Sequence, residues 1–154
     1  MKLVLIDHDN VFSIWHELLP MVQLCINEAY DGELDADHVL ANIVSAEAVA
    51  IAAVSEEGCF EMVGVFEKVH YPKMVMLNCY ILGASEKFAT SRVAPDLVER
   101  IKSWAAMQGV AAIECQCSDA LARLFNKWFG FTKRRNVCRV FLGERHGHDL
   151  PQQV

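Results

Sequence analysis

Two polar side chains interrupt the most apolar stretch of this chain. In Met74–Leu82 (MVMLNCYIL), Asn78 and Tyr80 stand two apart, so the pleat of a strand puts them on one face. An amide beside a phenol can orient a ligand's polar groups, and the phenol can hold or release a proton. The structural alternative is that the pair satisfies hydrogen bonds inside a core. Both readings stand at this point. His70, at a strand end before Tyr71-Pro72, is a candidate general base set against a plain turn histidine.

Six cysteines raise the question of a metal. Cys115 and Cys117 are separated by one residue, with no second pair at zinc-site spacing. Cys25, Cys59, Cys79 and Cys138 sit singly in apolar segments and read as small buried hydrophobes. A nucleophilic Cys79 or Cys117 needs a base beside it, and the sequence supplies none. His146-Gly147-His148-Asp149 reads as a loose end rather than a ligand set. No metal is expected.

The elements that position these residues are legible. Lys2–Ile6 predicts a first strand, and Asp7–Asn10 a turn that caps the next helix. Phe12, Trp15, Leu19, Val22 and Ile26 form one helical stripe, which Pro20 should kink or split in two. A short helix follows over Asp35–Val44. Three strands come next, Glu47–Ser55, Cys59–His70 and Met74–Leu82, joined by Glu56-Glu57-Gly58 and Tyr71-Pro72-Lys73. Gly83–Ala94 shows no periodicity and predicts a polar loop. Leu97, Val98, Ile101, Trp104 and Ala105 stripe a helix that opens near Pro95 and stops at Gly109. Val110–Cys117 is then a strand apolar on both faces, the mark of a central position. A helix over Ser118–Phe129 and a strand over Lys133–Leu142 complete the order. A meander followed by helix-linked strands predicts an α/β domain: a mixed, mostly antiparallel sheet with helices on both faces. Residues 1–142 form that domain, and 143–154 a flexible tail.

The 154 residues, 53% hydrophobic and 22% charged, exclude a disordered or fibrous chain. No apolar run approaches the roughly 20 residues of a membrane span. MKLVLIDHDN is a poor signal peptide, so a cytoplasmic protein with reduced thiols is the expectation. The net charge of −6 is unevenly spread: residues 1–60 hold eleven acidic side chains against Lys2 alone. Lys127, Lys133, Arg134, Arg135 and Arg139 make the end locally basic, but without interleaved aromatics they read as a solvated strand. Nucleic acid is not the expected partner.

This order of elements resembles the GNAT family of acyl-CoA-dependent N-acyltransferases over nearly the whole chain. Ala122–Phe131 (ARLFNKWFGF) is similar to the end of the family's penultimate helix, with its terminal Gly-Phe. The resemblance implies acetyl-CoA as cofactor, its pyrophosphate on backbone amides at the start of the central helix. The family's Gln/Arg-x-x-Gly-x-Gly/Ala pattern falls on Ala89–Ala94 (ATSRVA), which puts Arg92, Val93 and Ala94 at the phosphates. Arg92 stands where the family has glycine, and only Ala94 fits the pattern. Asn126 occupies the position of the family's general-acid tyrosine, and Asp119 that of a frequent asparagine. Asn78 and Tyr80 lie on the strand that flanks the family's cofactor cleft. Two functions follow from the resemblance. One is acetyl transfer to an amine, with the acidic N-terminal helices favouring a cationic amine or a protein acceptor. The other is a GNAT-like fold without catalysis that binds a protein partner, as in phage assembly or host takeover.

Overall fold

In the computed structural model, which describes residues 1–30, 32–115 and 119–132, apolar runs build one sheet and amphipathic helices cover its two faces. The strands are β1 (Lys2–Ile6), β2 (Ala48–Val54), β3 (Phe60–Tyr71), β4 (Met74–Ala84) and β5 (Ala112–Cys115). They lie side by side in that order, the first four antiparallel and β5 parallel to β4. The helices are α1 (Val11–Ala29), α2 (Ala36–Val44), a four-residue α3 (Glu86–Ala89), α4 (Ala94–Met107) and α5 (Asp119–Phe129). The expected last strand and tail, with Cys117, Cys138 and most of the basic group, lie outside the described residues. None of the described helices is long and apolar enough to cross a membrane.

The period-2 pleat divides the core into two. Ala50 and Ala52 of β2, with Val63 and Val65 of β3, face α1 and α2, meeting Leu18, Val22, Val39 and Ile43. Ile51, Ala53, Met62 and Phe66 face the other way, onto Leu97, Val98, Ile101 and Ala105 of α4 and Phe129 of α5. The helices therefore flank the sheet as the sequence predicts.

Three expectations need correction. Pro20 neither splits α1 nor ends it: one helix runs from Val11 to Ala29. The ring forfeits one backbone bond, but fully buried Leu18 and Val22 on either side hold the helix to the sheet. Asn10 precedes α1 without capping it, because its side chain is occupied with the Asp7 N–H and the Leu5 carbonyl. And Gly83–Ala94 is not simply a loop. β4 continues to Ala84, and Ser85 caps the single turn of α3 by accepting from the Phe88 N–H.

That turn is pinned to the β2–β3 hairpin by charge. The Ser85 hydroxyl donates to the buried Glu61 carboxylate, and Lys87 Nζ lies 3.3 Å from Glu61 Oε1 and 3.1 Å from Glu57 Oε2. Glu57 is held down to about 2, first by the Ser55 hydroxyl and its own N–H, then by Lys87. Glu61 is held below the usual carboxylate range mainly by Ser85. Depressed carboxylates stabilise the fold above their unfolded value and lose that contribution as pH falls through the folded one. The stability gap between wild type and Lys87→Met should therefore be constant between 4.5 and 10.5 and close as pH falls toward about 2. Urea melts at stepped pH check this, and a gap that persists at the acid end would remove the cluster from the account.

Candidate active site

The candidate residues gather along β4. The two strands pair from Met76↔Ala112 to Cys79↔Cys115. β4 then runs on to Ala84, and no described residue pairs with Tyr80–Ala84 on the β5 side. Next to Cys79, β4 carries a bulge. Phe66 pairs with Cys79 and Val65 with Ile81, so Tyr80 is the extra residue on β4. Tyr80 and Ile81 consequently both face the α1/α2 core, while Cys79 faces α4. The Tyr30 hydroxyl, just past the end of α1, donates to the Tyr80 carbonyl and fixes the bulge from outside the sheet. Burial pushes the Tyr30 hydroxyl up to about 12, with Cys79, Tyr80, Glu33 and Glu67 adding to the effect, so it remains a donor.

Asn78 and Tyr80 share one face of β4, as the sequence predicts. Asn78 Nδ2 donates to Glu67 Oε1 at 2.9 Å across the β3–β4 ladder, where the two residues pair directly. The Tyr80 ring is 8% exposed and its hydroxyl is fully covered. Burial raises that hydroxyl's pKa, and the neighbouring Asn42 amide opposes the shift without reaching good hydrogen-bond geometry.

Behind β4, on the α4/α5 side, is an apolar cavity of about 40 Å³. Phe66, Cys79, Cys115, Phe125 and Phe131 line it, and Lys102 is its one charged wall. Phe125 packs edge-on to both Phe129 and Phe131, with ring centroids 5.2 Å apart. The polar pair and the apolar slot therefore lie on opposite faces of β4.

The same architecture occurs in solved acetyltransferases. An aminoglycoside acetyltransferase from an uncultured soil metagenomic sample matches with a TM-score of 0.68 at 11% identity, over 94% of this chain and 96% of that one. This chain has the GNAT fold. A ribosomal-protein-alanine N-acetyltransferase from Brucella melitensis biovar Abortus 2308 matches at 0.63 and 10% identity, over 93% and 99% of the two chains. The BH1408 protein of Bacillus halodurans matches at 0.64 and 15%, over 92% and 100%. No family model matches the sequence, and no curated protein does.

Within the GNAT fold, Arg92, Val93 and Ala94 do lie at the start of α4, with Arg92 and Val93 exposed and Ala94 buried. Their fit to a pyrophosphate is partial. The Val93 N–H is engaged by Ser91 Oγ and the Ala94 N–H by the Ser91 carbonyl, each at 3.3 Å. Pro95 has no N–H, and Asp96 puts a carboxylate in the first turn. Attraction for an anion there comes from the Arg92 guanidinium more than from free amides. Asn126 is on the exposed side of α5, where Nδ2 donates to the Phe131 carbonyl at 2.8 Å and closes the helix end beyond Gly130. His70 and Cys59 are exposed and lie apart from the Tyr80 bulge in the ladder. Asp7, His8 and Asp9 are the described residues whose ligand atoms cluster, within 4.8 Å, but His8 and Asp9 are exposed and already paired.

Sequence reasoning passed over Glu67 and Tyr30. The signal for Glu67 was available: a tight turn with Tyr71 opposite Met74 puts Glu67 against Asn78 by simple counting. Nothing local marks Tyr30, whose partner is fifty residues away.

Proposed function

We propose that this protein transfers an acetyl group from acetyl-CoA to a primary amine. The observation that carries the reading is the GNAT fold itself, with the polar pair Asn78 and Tyr80 on β4. Acetyl-CoA supplies the activated acyl group. Arg92, Val93 and Ala94 hold its phosphate end. Asn78 and Tyr80 orient the amine from the α1/α2 side, so that bringing the two reactants together supplies much of the rate. The reaction is placed in the cytoplasm, where thiols stay reduced.

Calorimetry with acetyl-CoA, followed by a thiol-release assay over a panel of primary amines, tests this directly. Binding and amine-dependent thiol release are expected, with Arg92→Ala weakening acetyl-CoA by about fivefold for one lost charged contact. No heat with acetyl-CoA at millimolar concentration would overturn the reading. The engaged amides at the start of α4 favour a second one, a non-catalytic fold that binds a protein partner, and that same null result would select it.

A further inference from the structure

Two of the thiols stand side by side. Cys79 of β4 and Cys115 of β5 are register partners on parallel strands, both on the face toward α4 and both in the wall of the apolar cavity. Neighbouring strands run about 4.7–4.9 Å apart. That lies within the roughly 4.4–6.8 Å between the Cα atoms of bridged cysteines. A bond between the two sulfurs therefore asks for rotation of side chains rather than separation of strands. The cavity that they border, about 40 Å³, gives them space to turn. It also exceeds the roughly 10–15 Å³ that a water-sized molecule needs.

The pair is unequal. Cys79 is 2% exposed, and its thiol donates to the Ile81 carbonyl at 3.1 Å. Cys115 is half-buried, so a small reagent meets it first. Lys102 is the charged wall of the same cavity, and a nearby cation favours the thiolate, although its ammonium also meets Glu99 Oε1 at 2.6 Å. The other described cysteines lack this arrangement. Cys25 is on the opposite face of the sheet, in the α1/α2 core, and Cys59 is exposed at the β2–β3 turn.

We infer that Cys79 and Cys115 are an oxidant-sensitive pair: a peroxide converts them to a disulfide that ties β4 to β5 and closes residues 80–114, with α3 and α4, into a covalent loop. The Cys115 thiolate attacks one peroxide oxygen, the O–O bond breaks, and the departing hydroxide takes up the thiol's proton as water. The Cys79 sulfur then attacks Cys115 Sγ of the resulting sulfenic acid. The S–O bond breaks, and the second hydroxide leaves as water with the Cys79 proton. Two sulfurs are oxidised and one peroxide is reduced, with no other redox partner. In a compartment that keeps thiols reduced, such a bond forms during oxidant exposure and is undone by thiol exchange. The pair works independently of acetyl transfer.

The test exposes the full chain to hydrogen peroxide, alkylates the remaining thiols after unfolding, and maps the product by mass spectrometry. Two of the six thiols should be lost, to a dithiothreitol-reversible bond joining tryptic segments 74–87 and 103–123. Fragmentation should place that bond at Cys79 and Cys115. Cys79→Ala should abolish it and leave Cys115 as a dimedone-reactive sulfenic acid, whereas Cys115→Ala should leave Cys79 a thiol. A bond from Cys115 to another cysteine, Cys117 included, would overturn the inference, as would a wild-type Cys115 oxidised while Cys79 remains a thiol. Oxidation of Cys79 as fast in Cys115→Ala as in wild type would do the same. Should Cys79→Ala fail to fold, the wild-type map and Cys115→Ala decide.

Discussion

Gly83→Ala is expected to destabilise the fold by about 1–3 kcal/mol, the usual cost of overpacking a well-filled core. Gly83 is near the end of β4, where α1 crosses the sheet closely. A Cβ built there lies 2.3 Å from Cys25 Sγ and 3.3 Å from Met21 Cγ. No sulfur–carbon contact survives at the first of these distances, so the helix, the strand or the Cys25 rotamer has to move. Because the clash is mainly with one atom, it predicts its own rescue. Cys25→Ala in the same chain removes the sulfur and should recover most of the loss, with a coupling of about 0.5–3 kcal/mol between the two sites. Denaturant midpoints at constant m for the wild type, both single variants and the double variant measure it. An unshifted midpoint for Gly83→Ala, or additive behaviour in the double variant, would show that α1 does not press on β4 as described. The cycle also reports on Cys25, whose thiol burial pushes up to about 11, with the Glu28 charge adding to it. It stays a protonated packing group, as its place in an apolar helix suggested.

What the sequence made legible, and what it did not, divides along the range of the interactions. Strands β1 to β4 and helices α1, α2 and α4 follow from runs and stripes that any short window displays. So does the shared face of Asn78 and Tyr80. The Glu67–Asn78 pair was one step further, since it needs the hairpin register and the register needs the turn. The bulge at Tyr80 lay out of reach, because no residue type announces it and it is set by how β3 and α1 both grip β4. Pro20 misled for a related reason: its local penalty is real, yet Leu18 and Val22 bury fully beside it and outweigh one lost backbone bond. At α4 the pattern correctly located the helix start, but whether its amides were free depended on Ser91, at a position the pattern leaves unspecified.

Asn78→Leu should lower kcat/KM for the amine by about 100-fold, the scale of a misplaced reactant, while the fold holds or gains stability. The two halves of that expectation come from the same atoms. Asn78 Oδ1 is buried with no partner, so the folded protein carries a cost there that an apolar side chain of similar size removes. The one bond that is lost, from Nδ2 to Glu67, leaves behind a carboxylate that is only half-buried and can turn to water. In the free protein, then, Asn78 is a poor choice for stability. Its oxygen gains a partner only when a donor enters the site, and that is the arrangement expected of a residue kept for its ligand. Acetyl-CoA affinity should stay within about twofold, since Asn78 faces α1 and α2 rather than the start of α4, and distant sites act independently. Steady-state kinetics, calorimetry with acetyl-CoA and thermal melts on one preparation separate the possibilities. If Asn78→Leu melts well below wild type and its activity falls only in step with the folded fraction, Asn78 is there for Glu67 and the core. If it melts at or above wild type and turnover collapses, the polar pair on β4 is the working face of the site.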